Sequence, residues 1–196
     1  MDPQAELDTL LTQLLERPEA EDEIEARIRE RFEETRAVLA LDLCGFSKTT
    51  KERGIVAFLA FIHLMRRVSR PIVERHGGRV VDAIADNILC VFDRVDDALA
   101  AARELIVELR RDEGSADVEL HASVGIGYGP ILNFGNLRIA GDEVNFASKL
   151  GEDVADADEI LLTAAANDAF ADGGPKFQER RIVAGGVDLV CYRLVA

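Results

Sequence analysis

The sequence predicts an α+β fold in which the order β-α-β-β-α-β is preceded by a helical segment, residues 1–35, and completed by a C-terminal β-hairpin within a domain spanning 36–196. Three observations carry this. From Arg36 onward, short runs rich in Val, Ile and Leu alternate with segments of helical period. Two glycine pairs, Gly77-Gly78 and Gly185-Gly186, each stand just before such a run and read as turns. At 196 residues and 48% hydrophobic content, the chain can bury one substantial core, so a single domain with an appendage is the economical count.

Along residues 3–34, Leu7, Leu10, Leu11, Leu14 and Leu15, then Ile24, Ile28 and Phe32, recur at helical spacing on either side of Pro18. Two amphipathic helices broken near that proline follow, with an apolar stripe that must cover the sheet or a partner and a Glu-rich solvated face. A strand is predicted over 37–42 and a helix over 53–76, whose apolar face runs from Ile55 to Ile72 and in which Pro71 predicts a kink. His76-Gly77-Gly78 ends that helix, with His76 read as a cap or surface residue. Strands over 79–83 and 88–92, a helix over 95–112, strands over 117–127 and 129–133, a helix over 143–151 and strands over 159–163 and 187–194 complete the order. A sheet with its helices on one face is the implied layering.

A formal charge of −14 argues against sequence-independent binding to nucleic acid or to an anionic membrane surface, because both need a basic face. Cys44, Cys90 and Cys191 are odd in number and lack metal-ligand spacing, so reduced thiols of a cytoplasmic protein are expected, with Cys44 a small packing residue. No secretory pattern opens the chain, and no run reaches the roughly 18 apolar residues of a membrane span. His63 and His121 have no ligand-spaced partners and are assigned no chemistry.

Two acidic residues stand out. Asp42 closes the run Val38-Leu39-Ala40-Leu41 and opens Leu43-Cys44-Gly45-Phe46-Ser47, while Asp86 lies between Val80-Val81-Asp82-Ala83-Ile84 and Ile88-Leu89-Cys90-Val91-Phe92. Carboxylates at the mouths of two strands suggest a divalent-metal site; the bland alternative is a pair of strand-end turn residues.

With the third block, Gly141-Asp142-Glu143-Val144-Asn145-Phe146-Ala147-Ser148-Lys149, the order and spacing resemble the catalytic domain of class III adenylate and guanylate cyclases, over about Ala37 to Thr163. The resemblance implies a ferredoxin-like core of stand-alone bacterial type and a metal-dependent conversion of a nucleoside triphosphate to a 3′,5′-cyclic nucleotide and pyrophosphate. By it, Asp42 and Asp86 hold two divalent cations, Mg²⁺ or Mn²⁺, with the Leu43 carbonyl a third ligand. Cys44, Gly45, Phe46 and Ser47 would present backbone N–H groups to the phosphates. Asn145 would orient the ribose, and Lys149, four residues on, would stabilise the transition state where the best-known cyclases carry arginine; lysine keeps the charge and loses the bidentate fork. Plain surface roles are the alternative for both. The base-reading positions hold Asp82 and Arg138 rather than the adenine code, so GTP or a pyrimidine triphosphate is implied alongside ATP, unless the two only pair with each other. The hairpin lysine that binds phosphate in the family is replaced in Val183-Ala184-Gly185, and Arg180 and Arg181 are read as salt-bridged or solvated.

Because the chain holds both halves of a site that the family shares between subunits, a homodimer with shared active sites is expected, with neither nucleic acid nor membrane as partner. Two other readings stand beside this one. One is a cyclase that makes cyclic CMP or UMP in bacterial anti-phage defence. The other is a catalytically lapsed homology domain that binds a nucleotide or a partner. No sensor domain is expected, so regulation is expected through the N-terminal helices, a separate partner, or substrate and metal supply.

Overall fold

The structure is a computed structural model that describes residues 2–45, 51–111, 120–135, 138–170, 175–184 and 187–195. Helices α1 (Pro3–Glu16) and α2 (Glu21–Phe32) are joined through a 3-10 turn at Pro18–Ala20, as the proline predicts. β1 (Glu33–Leu43) follows α2 directly, with no linker. Then come α3 (Ile55–Arg75), β2 (Arg79–Ile84), β3 (Asn87–Phe92), α4 (Val95–Arg111), β4 (Ala122–Asn133), a two-residue β5 (Ile139–Ala140) and α5 (Asp142–Lys149), which continues into a π turn at Leu150–Val154. β6 (Ile160–Thr163), α6 (Ala164–Asp168), β7 (Phe177–Ala184) and β8 (Val187–Leu194) complete the chain.

All strands join one sheet in the order β2-β3-β1-β4-β6-β8-β7, with β5 paired to β4. Its first four strands, β2-β3-β1-β4, are antiparallel neighbours in the ferredoxin-like order. β1 is the centre: it pairs with β3 from Ala37↔Phe92 to Asp42↔Asn87 and with β4 from Glu33↔Leu132 to Leu43↔Ala122. Period-two alternation sends Ala37, Leu39, Leu41 and Leu43 into the main core with Met65, Val73, Leu105 and Leu109 of α3 and α4. Val38 and Ala40 point the other way, against Val144 and Ala147 of α5. Helices therefore lie on both faces, not on one.

The second face exists because β4 carries glycines at alternate positions. A Cβ on Gly125 would fall 2.0 Å from the Ala147 carbonyl oxygen, and one on Gly127 would fall 2.6 Å from that of Glu143. Without side chains there, the backbone of α5 rests on the sheet. Glu143 anchors it, accepting from the Tyr128 N–H at 3.0 Å and the Thr163 hydroxyl at 2.7 Å. The same glycines suggest a break near residue 128, yet β4 is one continuous strand from Ala122, because β1 pairs with it along its whole length. Residues 117–119 of the expected strand lie outside the described residues.

Other expectations also need adjusting. α3 passes through Pro71 as a single helix, and His76 caps it, in contact with Glu104 at 2.7 Å. α6 was not expected, whereas the predicted C-terminal hairpin is formed by β7 and β8, paired from Phe177↔Leu194 to Ala184↔Val187, with Gly185-Gly186 outside the described residues. The three cysteines are free thiols, and burial first of all pushes the Cys44 thiol up, so it is a packing group against Ser123 at 3.6 Å. The N-terminal helices form their own cluster, with Leu7, Leu10, Ile24, Ile28 and Phe32 packed on Leu132 and Phe134.

Candidate active site

Asp42 sits one residue before the end of β1, half-buried, opposite Asn87 on one side and Ser123 on the other. Asp86 belongs to the two-residue turn that joins Ile84 to Asn87, where Ala85 adopts a positive φ of 48°. That conformation costs an L-residue roughly 1–2 kcal/mol, and it closes the turn beside the end of β1: the Leu43 N–H donates to the Asp86 carbonyl at 3.2 Å. Sheet register thus brings together the two carboxylates that the sequence singles out.

Their electrostatics show the proximity. Burial, then the charges of Asp86, Glu152 and Asp153, push the Asp42 carboxyl up to about 7. Glu152 is raised as well, first by partial burial and then by Asp153 and Asp86. Every charge acting on Asp42 is negative, and Lys149 is not among them. Glu152 and Asp153 were missed at the sequence level; the signal was the acidic pair directly after Lys149-Leu150-Gly151, which the π turn carries back toward β1. The donors are hard carboxylate oxygens that repel one another until a cation or proton intervenes, a set that fits Mg²⁺ or Mn²⁺. Among the described residues no group of three or more His, Cys, Asp or Glu has metal-binding geometry, so the fit rests on the Asp42 and Asp86 pair.

The loop after β1 is narrower than expected as a phosphate cradle. The Leu43 and Cys44 N–H groups are spent on the Asp86 and His121 carbonyls, at 3.2 and 2.9 Å. Gly45, exposed at φ +78°, is the described part of the cradle; Phe46 and Ser47 lie outside the described residues.

Asn145 and Lys149 stand four apart on α5, Asn145 exposed and Lys149 half-buried in the last turn. Spacing of four places them on one side of the helix. Val144 and Ala147 occupy the buried side.

Asp82 and Arg138 meet at one cavity of about 490 Å³, on the face of the sheet that α5 also covers. A bulge in β2 makes this possible. Val80 pairs with Cys90 and Asp82 with Leu89, leaving Val81 as the extra residue, so neighbours that would point to opposite faces both line the cavity. One Asp82 oxygen accepts from the Ala83 N–H at 2.7 Å. Among the described residues Asp82 and Arg138 form no ion pair, although both line the cavity. Arg180 is held by the buried Glu159 at 3.0 Å, and Arg181 pairs with Glu179 at 3.2 Å on the exposed face of the hairpin.

No family model matches the chain. It is 28% identical over 130 residues to an adenylate cyclase of Streptomyces coelicolor, covering 66% of this chain, and it spans about a third of that relative's length, 32%. Among solved structures it is similar to the guanylate cyclase domain of RhGC from Catenaria anguillulae in complex with GTP, with a TM-score of 0.72 at 21% identity over 84% of this chain and 98% of that one. The adenylyl cyclase CyaB from P. aeruginosa matches with a TM-score of 0.68 at 22% identity, over 84% and 96% of the two chains. The chain therefore carries the fold of the class III adenylyl and guanylyl cyclase catalytic domain.

Proposed function

We propose that this chain is a metal-dependent nucleotidyl cyclase that converts a nucleoside triphosphate to its 3′,5′-cyclic nucleotide and pyrophosphate, working as a homodimer with shared sites. The observation that carries the reading is the meeting of Asp42 and Asp86 at the strand mouths, where burial, and then the neighbouring carboxylates, push Asp42 up to about 7. Asp42 and Asp86 would hold Mg²⁺ or Mn²⁺, with the Leu43 carbonyl a further candidate ligand. A cation bound there supplies a lowered pKa for the attacking ribose 3′-hydroxyl and an offset to the triphosphate charge. Gly45 presents the phosphates with backbone.

Asn145 orients the ribose, and Lys149 sets its ammonium against the charge that builds on the α-phosphorus as pyrophosphate leaves. The shared-site dimer rests on the resemblance: the chain carries both the acidic half, Asp42 and Asp86, and the Asn145 and Lys149 half of a site that such enzymes form between two subunits. Asp82 and Arg138 read the base: a carboxylate accepts from ring and exocyclic N–H groups, and a guanidinium donates to a ring carbonyl. Guanine, cytosine and uracil offer such a carbonyl and adenine does not.

One set of observations favours a second reading, a lapsed homology domain that binds nucleotide without turning it over. Lysine replaces the forked cation at position 149, and both hairpin arginines are engaged by glutamates. Incubation of the full chain with each of the four ribonucleoside triphosphates and Mn²⁺, with products identified by mass spectrometry, separates the two. The cyclase reading expects one dominant cyclic nucleotide, abolished by chelation; binding of a triphosphate with no cyclic product from any of the four refutes it in favour of the lapsed domain.

A further inference from the structure

The cavity that joins Asp82 to Arg138 has a wall that does not come from the catalytic domain. Gln4, Leu7, Asp8 and Leu11 of α1 line it, and Gln4, Asp8 and Arg138 also line an adjoining space of about 890 Å³ that opens beyond it. We infer that α1 is part of the base-recognition site and that Gln4 and Asp8, together with Asp82 and Arg138, select guanine. This rests on the cyclase reading above and adds to it the source and chemistry of the specificity.

Helical spacing places Gln4 and Asp8 one turn apart, and the Gln4 Nε2 donates to Asp8 Oδ1 at 2.8 Å. The pair is thereby pre-set, with Gln4 Oε1 and Asp8 Oδ2 left as acceptors that have no other hydrogen-bond partner among the described residues. Asp82 is set in the same way by the Ala83 N–H at 2.7 Å, which leaves its second oxygen as a third acceptor. Arg138 is exposed, and among the described residues its side chain forms no ion pair; it is the cation at the cavity. Three acceptors and one donor group mirror the guanine edge, which offers N1–H and the two N2 hydrogens and takes a hydrogen bond at O6.

Cytosine and uracil present fewer donors to such a set, and adenine has no carbonyl for the arginine. Apolar lining accompanies these polar groups: Leu11, 41% exposed, and the half-buried Leu89. α1 borders this space and does not fill it. Its Leu7 and Leu10 are buried against α2 and the end of β4, while Gln4 and Asp8 are at the cavity. That arrangement is a wall rather than a plug.

The test is equilibrium binding of the four 3′-deoxynucleoside triphosphates, which lack the attacking hydroxyl, to the full chain with Mn²⁺. The unaltered protein is expected to prefer 3′-deoxyguanosine triphosphate. Asp8→Asn, which keeps shape and helix while replacing an acceptor by a donor, should lower the guanosine-to-adenosine affinity ratio up to about tenfold, since one mismatched hydrogen bond is at most of that size. Gln4→Leu should lower it several-fold, and circular dichroism checks that α1 is retained.

A ratio unmoved in both α1 variants, while Asp82→Asn still lowers it, overturns the role of α1 and leaves the base site standing. Variants that tighten all four nucleotides alike overturn it in favour of α1 as a cover. A preference for adenosine or a pyrimidine overturns the guanine assignment. Failure of the unaltered protein to bind any of the four removes this inference and the cyclase reading together.

Discussion

Asp42 stands on a strand paired along both edges, and Asp86 in a turn hydrogen-bonded to that strand, whereas Asp82 stands on the edge strand β2 behind a bulge and faces Arg138 from a short loop and side chains from α1. The acidic mouth is thus set by ladders in the middle of the sheet, where a shift of one residue would turn Leu39 and Leu41 out of the core. The base cavity is assembled from peripheral elements, each of which can change without disturbing that core. On the proposed reading, such a division would separate chemistry from specificity: the mouth can stay constant while the cavity is re-equipped.

The comparison breaks most sharply at the mouth. Asp42→Asn or Asp86→Asn should reduce metal-dependent turnover by about a hundredfold or more, because each removes an anionic ligand from a site supplying several kcal/mol to the transition state. Fold and subunit association should survive, as judged by circular dichroism and light scattering. Turnover within a few-fold of the unaltered protein in either variant would disconnect the mouth from catalysis.

On α5, Lys149→Ala should cost roughly tenfold to a hundredfold in kcat while Lys149→Arg equals or exceeds the unaltered chain, since the fork restores bidentate contact with the phosphate oxygens. Equal activity of all three would make Lys149 a plain helix-end cation. At the cavity the effect should be smaller and of a different kind. Asp82→Lys should move the ratio of kcat/KM for ATP over the preferred nucleotide by about tenfold, from exchanged donor and acceptor roles worth about 1–3 kcal/mol. A flat ratio with lower overall activity would make Asp82 structural.

The smallest effect is on stability. The folded Asp42 carboxyl titrates at about 7, above its unfolded value of about 3.9, so without cations the folded chain holds the extra proton. That contribution to stability is fully present below about pH 4 and is lost as pH rises through about 7. In EDTA, the melting temperature should fall for the unaltered protein relative to Asp42→Asn between about pH 4 and about pH 7, and Mn²⁺ should raise it for the unaltered protein alone. Parallel curves would place Asp42 in water, away from Asp86.

How much of this was legible in the sequence follows the same division. Strand runs around Asp42 and Asp86 are apolar and short, so their period and their closing carboxylates reveal the mouth, and the helical spacing of Asn145 and Lys149 needs no tertiary information. The second face of the sheet was hidden because its cause is glycines at alternate positions, which read locally as a break and act through the α5 backbone packed on Gly125 and Gly127 and the Glu143 side chain beside Gly129. Val81 is ordinary as a residue; that it is the bulge is a property of its pairing with β3. Glu152 and Asp153 look like surface charge until a π turn returns them to β1. The N-terminal helices were expected to cover something, and periodicity carries no information on what.

On the proposed reading, the acidic mouth and the α5 cation meet only between two copies of the chain. Mixing Asp42→Asn chains with Asn145→Ala chains, after subunit exchange verified by native mass spectrometry, tests it directly by measuring cyclic nucleotide formed per heterodimer. Each variant alone should be nearly silent, and the mixture should recover activity toward one intact site per heterodimer. Verified heterodimers that remain as silent as their parents would contradict the shared site, and with it the roles given to Asp42 and Asn145.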